Sequence, residues 1–406
     1  MRESFVSNNP IVADRQLSGE HQISQGPGEF QGATAAEPMK TQLERTALSL
    51  EVRTVEAVIS DLAFRHGRYF DSYLATESNR KHFISAGGMG VVSYVQCGRY
   101  ILVGGGLIAP DSHRKRLLEL FVEFAASKRL TVSFYNIGPA DLPYFQELSF
   151  QVTKWGEEPI VDLAGQTWRG KAFEWVRRQT NYCQRNGLKA LEIRQDELSS
   201  TEWAQCVSEV REVSAESISA KPQKEMTFFE GSIANTPLGR RRLFVARSDE
   251  GMGRIEGFVI CNPIEGGRMW STELYRRRLD SVRGTMAFLF HYVLRTMQDE
   301  GVEQVPMCLD LGKNVETAIE GDSFLVRQTL NLGRRFLNSV FDFAGIQHFK
   351  SRFRPRYEDR FVCVLPKATV GSTWAFFRAS GALRIDIVKL AGKVYNRRAG
   401  RSTSAS

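Results

Sequence analysis

The sequence has no hydrophobic run long enough to cross a bilayer and no apolar stretch behind a basic start, so neither a transmembrane helix nor a signal peptide is expected. Its six cysteines are scattered singly, without a CxxC pair or a neighbouring histidine cluster. A zinc site is therefore not expected. Scattered single cysteines instead favour a cytosolic protein whose cysteines are reduced. P-loops, serine-hydrolase elbows and paired metal-ligand histidines are also missing from the sequence.

Positive charge is in excess, with a formal net charge of +8 over 406 residues. This excess favours polyanionic partners, either nucleic acid or an acidic membrane surface. The hydrophobic share of 42% and the charged share of 25% are typical of a globular protein, and the length suggests two or three domains.

The chain divides into five predicted segments. Residues 1–45 are polar and aperiodic, which predicts a disordered segment. Strand and helix signals then alternate, predicting an α/β domain at 46–165 and a second one at 201–366. A basic helix ending near Gly187 is expected within the connecting residues 166–200, and residues 367–406 form a basic amphipathic tail.

Two glycine-containing turns are candidate phosphate sites. Gly104, Gly106 and Ala109 match the G-x-G-x-x-A dinucleotide pattern, but Pro110 follows at once and no strand-end acid lies about 20 residues on. A plain strand-to-helix turn is the alternative interpretation. The second turn, Arg283 and the following glycine, opens a predicted helix whose N-terminus could hold a phosphate.

Residues 348–361 (HFKSRFRPRYEDRF) combine cations, carboxylates and aromatic rings. In an extended chain one face would carry the cations and one carboxylate, namely Lys350, Arg352, Arg354, Arg356, Glu358 and Arg360. This pattern predicts a wall for phosphate groups, and a solvated sheet edge is the alternative. Glu273 with Arg276, and Asp310 at a predicted strand end, repeat the pairing of acid and cation.

These motifs together resemble the C-terminal catalytic region of phosphatidylglycerol lysyltransferases, the aminoacyl-phosphatidylglycerol synthases. The resemblance rests on WGEEPIVDL, STELYRRR, RGTMAFLFHYVLRTMQDEG, LDLG and FKSRFRPRYEDRFV, which occur in that order between about Glu51 and Pro366. It covers the catalytic region without the transmembrane flippase half.

The resemblance implies two tandem GNAT-type acyltransferase domains of α/β (α+β) class, joined by a long helix. It also implies transfer of an amino acid from aminoacyl-tRNA to a membrane lipid hydroxyl, without a cofactor or metal. The family's D-L-M-R motif falls on residues 273–276, with glutamate for the usual aspartate at Glu273. The family's terminal motif falls on residues 352–361, with Tyr357 where tryptophan is usual.

The expected catalytic residues are Glu273, Arg276, Glu358 and Asp310. The expected contacts to tRNA phosphates are Lys350, Arg352, Arg354, Arg356, Arg360 and Arg283, with the basic helix at Arg177 and Arg178 as the alternative. The protein is expected to be cytoplasmic and peripheral at the inner face of the membrane, held to anionic lipid by its tail. Two other functions stay open: an acyl-CoA-dependent N-acyltransferase, and a non-catalytic lipid- or RNA-binding module.

Overall fold

The computed structural model describes residues 11–13, 54–220, 228, 231–233, 238–248, 253–341 and 343–381. Its α-helices in this part are α1 (Val55–His66), α2 (Asp111–Ser127), α3 (Leu142–Glu147), α4 (Glu174–Arg185), α5 (Ser200–Ser219), α6 (Thr285–Asp299), α7 (Phe324–Phe341), α8 (Phe343–Ser351) and α9 (Val370–Ser380). Local sequence fixes several helix ends: Ser199, for example, caps α5 in a reciprocal pair with Glu202.

The strands of the described residues join into one large mixed sheet. They are β1 (Ile11–Ala13), β2 (Lys81–Ile84), β3 (Val91–Cys97), β4 (Tyr100–Val103), β5 (Thr131–Ile137), β6 (Gln151–Asp162), β7 (Leu188–Ile193), β8 (Arg242–Ser248), β9 (Ile255–Ile264), β10 (Met269–Arg277), β11 (Gln304–Pro306), β12 (Asp310–Leu311) and β13 (Arg356–Leu365). The sheet order is β1-β2-β3-β4-β5-β13-β6-β11-β10-β9-β8-β7, and β12 also pairs with β6.

Each half of the sheet has its own apolar core. In the first half, α2 packs phenylalanine and leucine side chains such as Leu117 and Phe121 against the strands around Phe134. In the second half, α6 does the same through Phe290 and Val293. The predicted α/β class with two tandem halves is therefore confirmed, and the boundary between the halves lies at β6.

The last strand crosses this boundary. β13, which the sequence assigns to the second domain, lies between β5 and β6 and is antiparallel to both. The connecting residues also differ from the expectation of a long helix. α4 has 12 residues and ends at Arg185 because Gly187 (φ 74°) turns the chain, after which β7 forms the sheet edge.

The two predicted terminal segments are described only in part. Within residues 1–45, β1 pairs with β2, so Ile11–Ala13 forms a strand where disorder was expected; the rest of this segment lies outside the described residues. Within the tail, α9 is described and residues 382–406 are not. Among the described residues, no helix is long and apolar enough to cross a membrane.

Candidate functional site

The sheet opens where β10 and β11 part. These two parallel strands pair only at Met269 with Gln304, after which the chain leaves β10 and continues along β6 as β12. A β-bulge in β10 between Thr272 and Leu274 places Glu273 at this opening. Bulges commonly re-aim a side chain beside a ligand site, and this one is at the first sequence-predicted catalytic residue.

Glu273 is buried in an ion pair with Arg241, whose side chain is fully buried as well. Its other carboxylate oxygen accepts a hydrogen bond from the backbone N–H of Gly231. Arg241 is held in turn by Asn262, whose Oδ1 accepts from Arg241 Nε at 2.7 Å. Among the described residues, the ion-pair partner of Glu273 is therefore Arg241, the residue before β8.

Asp310 and Lys350 form a second buried ion pair, with Lys350 Nζ 2.9 Å from Asp310 Oδ1. Lys350 also donates to the carbonyl of Cys308 at 3.0 Å. Lys350 is only 3% exposed, so its positive charge is neutralised by Asp310 inside the protein. The sequence prediction that it belongs to an exposed phosphate wall is therefore wrong for this residue.

Arg360 and Glu358 lie on β13 next to a carboxylate that the sequence prediction did not include. Arg360 is buried and donates to both Glu358 and Glu158, the second of these through Nε at 2.8 Å. Burial raises the pKa of Glu158, and Arg360 opposes this effect without cancelling it. Burial alone would also raise the pKa of Glu358, but the guanidinium groups of Arg360 and Arg356 lower it below its ordinary value.

Asp71 is the fourth buried carboxylate of the site. Its Oδ2 accepts a hydrogen bond of 2.8 Å from Asn136 Nδ2, and burial raises its pKa. The Cys308 thiol lies among these groups: burial raises its pKa well above the ordinary value, Lys350 opposes this, and the carboxylates of Glu273, Glu158 and Asp71 add to it. We call Asp71, Glu158, Glu273 and Asp310 the carboxylate cluster.

Several buried polar atoms at the carboxylate cluster have no hydrogen-bond partner among the described residues. They are Asp71 Oδ1, Asn136 Oδ1, Glu158 Oε1, Asp310 Oδ2, Thr272 Oγ1 and Arg241 Nη1. Each buried polar group that lacks a partner costs roughly 1–3 kcal/mol of folding free energy. So many of these atoms in one place therefore destabilise the fold. A polar substrate that reached the cluster would satisfy them.

Arg276 and Arg283 lie away from this cluster in their described contacts. Arg276 is buried and donates to Ser214 of α5. Arg283 is exposed, and the glycine after it begins α6 with φ 93°. A Cβ there would meet the Gln179 side chain at 2.5 Å, so α4 packs directly against this turn.

The other glycine-rich turn is explained by packing. A Cβ at Gly105 would meet the Ser72 backbone at 2.8 Å, and one at Gly106 would meet the Tyr69 ring at 2.5 Å. Both glycines also have positive φ, at 81° and 66°. The Gly104–Ala109 segment is therefore a tight turn against the residues that carry Asp71, which supports the alternative to a dinucleotide loop.

The cationic motif is not one extended row. Its first part belongs to α8, which ends at Ser351, and Arg354 has φ 56°; the strand begins only at Arg356. The alternation holds from there, because Glu358 accepts hydrogen bonds from both Arg356 (3.2 Å) and Arg360. The extended face predicted from residue 350 is thus wrong before residue 356 and correct after it.

Two arginines of the motif, the half-buried Arg352 and the exposed Arg354, contact the region of the basic helix. The guanidinium of Arg352 lies 5.5 Å from the Trp175 ring on α4, and Arg354 Nε donates to the carbonyl of Ala172 at 3.4 Å. The two candidate tRNA sites of the sequence analysis are therefore adjacent. We call the exposed basic side chains of this region the cationic surface: Arg178, Arg185, Arg354 and Arg356.

Sequence reasoning missed Asp71, Glu158 and Arg241. Glu158 stands in the quoted WGEEPI motif, but the motif itself gives no sign of a role for it. Asp71 and Arg241 have no local pattern at all, and only the fold brings them together. Among the described residues, no group of three or more His, Cys, Asp and Glu side chains is arranged to hold a metal ion.

The family model described as "Phosphatidylglycerol lysyltransferase, C-terminal" matches residues 60–364. A phosphatidylglycerol lysyltransferase of Bacillus subtilis (strain 168) is 23% identical over 293 residues, which is 72% of this chain and 33% of that protein. One of Staphylococcus aureus (strain COL) is 22% identical over 331 residues, covering 79% and 36%. This chain thus spans about a third of the length of these curated relatives.

Two solved structures share the fold. The structure of L-PGS from Bacillus licheniformis aligns with a TM-score of 0.68 and 23% identity, over 81% of this chain and 98% of that one. The C-terminal domain of a lysylphosphatidylglycerol synthetase from Agrobacterium fabrum aligns with a TM-score of 0.66 and 22% identity, with the same coverage of both chains.

Proposed function

Since the chain belongs to the family of phosphatidylglycerol lysyltransferase C-terminal domains, we propose that it is an aminoacyltransferase that esterifies phosphatidylglycerol with an amino acid taken from aminoacyl-tRNA. Family membership supports the reaction class and the lipid acceptor. The carboxylate cluster carries the proposal, because it combines buried proton acceptors, a buried guanidinium and polar atoms that have no hydrogen-bond partner among the described residues.

The proposed reaction is a transesterification. The lipid hydroxyl oxygen forms a bond to the aminoacyl carbonyl carbon, the bond to the terminal ribose oxygen of tRNA breaks, and the proton of the lipid hydroxyl ends on that ribose oxygen. An aminoacyl ester is already activated, so the enzyme must orient the two substrates, stabilise the oxyanion and move this proton.

Arg241 is assigned to the oxyanion. Its Nη1 has no partner among the described residues, while Glu273 and Asn262 fix the rest of the guanidinium. A preorganised donor in a buried site contributes more to transition-state stabilisation than one that must reorient. Glu273 is then proposed as a positioning residue for Arg241, in place of the catalytic role that the sequence predicted for it.

Glu158 is assigned to the proton. A general base is most effective when its pKa lies near the working pH, and burial raises the pKa of Glu158 in that direction. Its Oε1 has no partner among the described residues and can accept the hydroxyl proton. Asp71, with a raised pKa and an unpaired oxygen of its own, is placed to orient the same hydroxyl.

The tRNA donor is assigned to the cationic surface. Arg354 and Arg356 are exposed and the adjacent α4 adds Arg178 and Arg185, so phosphates can reach all four side chains. The protein is further proposed to work at the inner face of the membrane, where the basic residues of 367–406 would meet anionic lipid.

The test is an assay of the purified chain with radiolabelled lysyl-tRNA and phosphatidylglycerol vesicles, followed by thin-layer separation of the lipid. Labelled lipid is expected with lysyl-tRNA, and none when uncharged tRNA and free lysine replace it. Failure to label lipid with any of the aminoacyl-tRNAs would contradict the proposal. Transfer from labelled acyl-CoA to an added amine acceptor, without labelling of the lipid, would favour the N-acyltransferase alternative.

A further inference from the structure

A cavity that is separate from the carboxylate cluster lies between the first-half strands and helices α7 and α9. Its interior leaves about 60 Å³ for water-sized groups, and about 700 Å³ is empty when the open mouth is included, so the cavity is narrow and open to solvent. Its lining is mainly aromatic and aliphatic, with a few serine and threonine hydroxyls; it includes Tyr135, Trp155, Leu330, Val362, Val364 and Phe376. Such a lining suits a hydrocarbon and offers little to a charged ligand.

The cavity and the carboxylate cluster are neighbours across β5. Tyr135 lines the cavity, while the next residue, Asn136, donates to Asp71 of the cluster. The Tyr135 ring also packs at 5.6 Å on Phe228, and the Phe228 carbonyl accepts a hydrogen bond of 2.9 Å from Arg80, beside Asp71. One layer of side chains therefore separates an apolar site from a polar one.

The two helices that wall the cavity also expose large apolar side chains. On α7 these are Phe324 and Leu332, at 67% and 71% exposure, and on α9 they are Val370 and Trp374, at 75% and 61%. Exposed apolar groups of this size mark surfaces that meet another apolar phase, and tryptophan favours the bilayer interface. A chain leaving a bilayer would therefore meet apolar surface before it entered the cavity.

We propose that this cavity binds a segment of one fatty-acyl chain of the acceptor lipid while the lipid headgroup reaches the carboxylate cluster. The inference rests on the proposed function for the identity of the lipid, and on the cavity for the chain. One wall of the site, α9, lies beyond residues 60–364 that match the family, so the site is partly built from residues of this chain outside the shared region.

Chain binding is tested directly with a short-chain phosphatidylglycerol that carries bromine on its acyl chain, used below its micelle concentration. Bromine quenches tryptophan fluorescence on contact, and Trp155 lines the cavity. Saturable quenching is expected in the wild type and is expected to shrink in Trp155→Phe, which keeps an aromatic ring there. Equal quenching in the two proteins would place the chain elsewhere and overturn the proposal.

A second test of chain binding fills the cavity with a larger side chain. Thr329→Phe adds a ring to the lining, and Gln328→Phe adds the same ring to the exposed neighbouring position of α7. Each buried methylene is worth about fourfold in affinity, so loss of three or more should weaken bromolipid binding by at least tenfold in Thr329→Phe. Gln328→Phe should bind the lipid as the wild type does.

Transfer to glycerophosphoglycerol, the headgroup without chains, separates this inference from the proposed function. Thr329→Phe should transfer to it at the wild-type rate while losing transfer to the diacyl lipid. Equal lipid affinity in the two phenylalanine variants, or a loss that extends to the chainless headgroup, would overturn the inference alone. Saturable lipid binding without transfer to any acceptor would uphold it and contradict the proposed function.

Discussion

Arg241 enters the proposed reaction through Nη1, a nitrogen that no described residue binds. Arg241→Ala should therefore slow single-turnover transfer by about a hundredfold or more, the typical effect of losing one oxyanion donor. Arg240→Ala is the matched control. Arg240 is the next residue in sequence, but its side chain is 42% exposed and pairs with Asp61. Wild-type transfer by folded Arg241→Ala would remove the residue from the reaction.

Arg276 can be tested in the same series. It was predicted from its motif position, and in the structure it donates to Ser214. A loss in Arg276→Ala as large as in Arg241→Ala, without a loss of thermal stability, would return the oxyanion role to Arg276.

Glu158 should determine the acidic limb of the pH profile. A base must be deprotonated to accept the hydroxyl proton, so transfer should rise with pH until the raised pKa of Glu158 is passed. Glu158→Gln should be slower by about a hundredfold or more, and should lack this rise. If the variant kept the wild-type profile, the proton would go to another group, and Asp71 would be the next to test.

Asp71 should cost the protein stability at neutral pH. Burial raises its pKa above the ordinary value of 3.8, so the folded state holds a proton that the unfolded chain releases at lower pH. Between those two pKa values the folded state binds more protons, and the free energy of unfolding falls as pH rises. Asp71→Asn removes this loss.

Urea unfolding at a series of pH values measures the effect. The free energy of unfolding of Asp71→Asn should exceed that of the wild type at pH 7, and the difference should shrink towards pH 4. A difference that stayed constant across the series would show that Asp71 does not titrate in this way. A stabilised variant with reduced transfer would identify Asp71 as a residue kept for function.

At the scale of elements, the strands and helices were predictable and their meeting points were not. Runs such as VVSYVQC and TVSFYNI are rich in β-branched and aromatic residues, and both form strands as expected. The failure before Arg356 has a local cause: the apolar spacing of Phe343–Ser351 suits a helix, whereas the predicted alternation requires every residue from 350 onward to be extended.

The carboxylate cluster could be predicted only in part, because its members come from distant segments. Glu273 and Asp310 had visible cationic neighbours in sequence, yet Glu273 pairs with Arg241, 32 positions away. Asp71 and Glu158 are brought together only by the pairing of β5, β13 and β6. Since no local pattern encodes such long-range pairing, these residues appear only once the fold is known.

The salt dependence of tRNA binding tests the cationic surface, which two adjacent segments of the chain form together. Neutralising Arg354 and Arg178, one from each adjacent segment, should flatten the slope of log affinity against log salt for tRNA by roughly one to two units. Each lost phosphate contact removes about 0.7 to 0.9 of a unit. Fluorescence anisotropy of labelled tRNA across a salt series measures the slope.

The control for this pair neutralises Lys115 and Arg116 on α2, which are similarly exposed, at 50% and 59%. Because these residues lie outside the cationic surface, their loss should leave both the tRNA affinity and the salt slope close to those of the wild type. An equal slope change in both double variants would mean that tRNA responds to net charge and not to this surface.

At the scale of the whole molecule, the two halves are joined through the sheet as well as through the connecting residues. β13 starts beside Glu158, and its far end pairs with β5 in the first half. The segment after it, α9, packs Phe376 against Tyr135 at 5.1 Å and Trp155 at 5.2 Å. The end of the described chain therefore belongs to the first-half core, and a truncation that removed α9 would damage that core.

Because α9 is part of the first-half core, membrane binding by the basic tail is best tested with a truncation after Gly381, which keeps α9. Residues 382–406 carry six cationic side chains against Asp386 alone, and basic residues near an anionic leaflet contribute about 1 kcal/mol each. Removing them should abolish sedimentation with anionic liposomes and leave tRNA binding and thermal stability unchanged. A second truncation after Lys367, which also removes α9, should lower the melting temperature as well. Equal sedimentation of the full chain and the Gly381 truncation would leave α7 and α9, with their exposed Leu332 and Trp374, as the surface that meets the lipid.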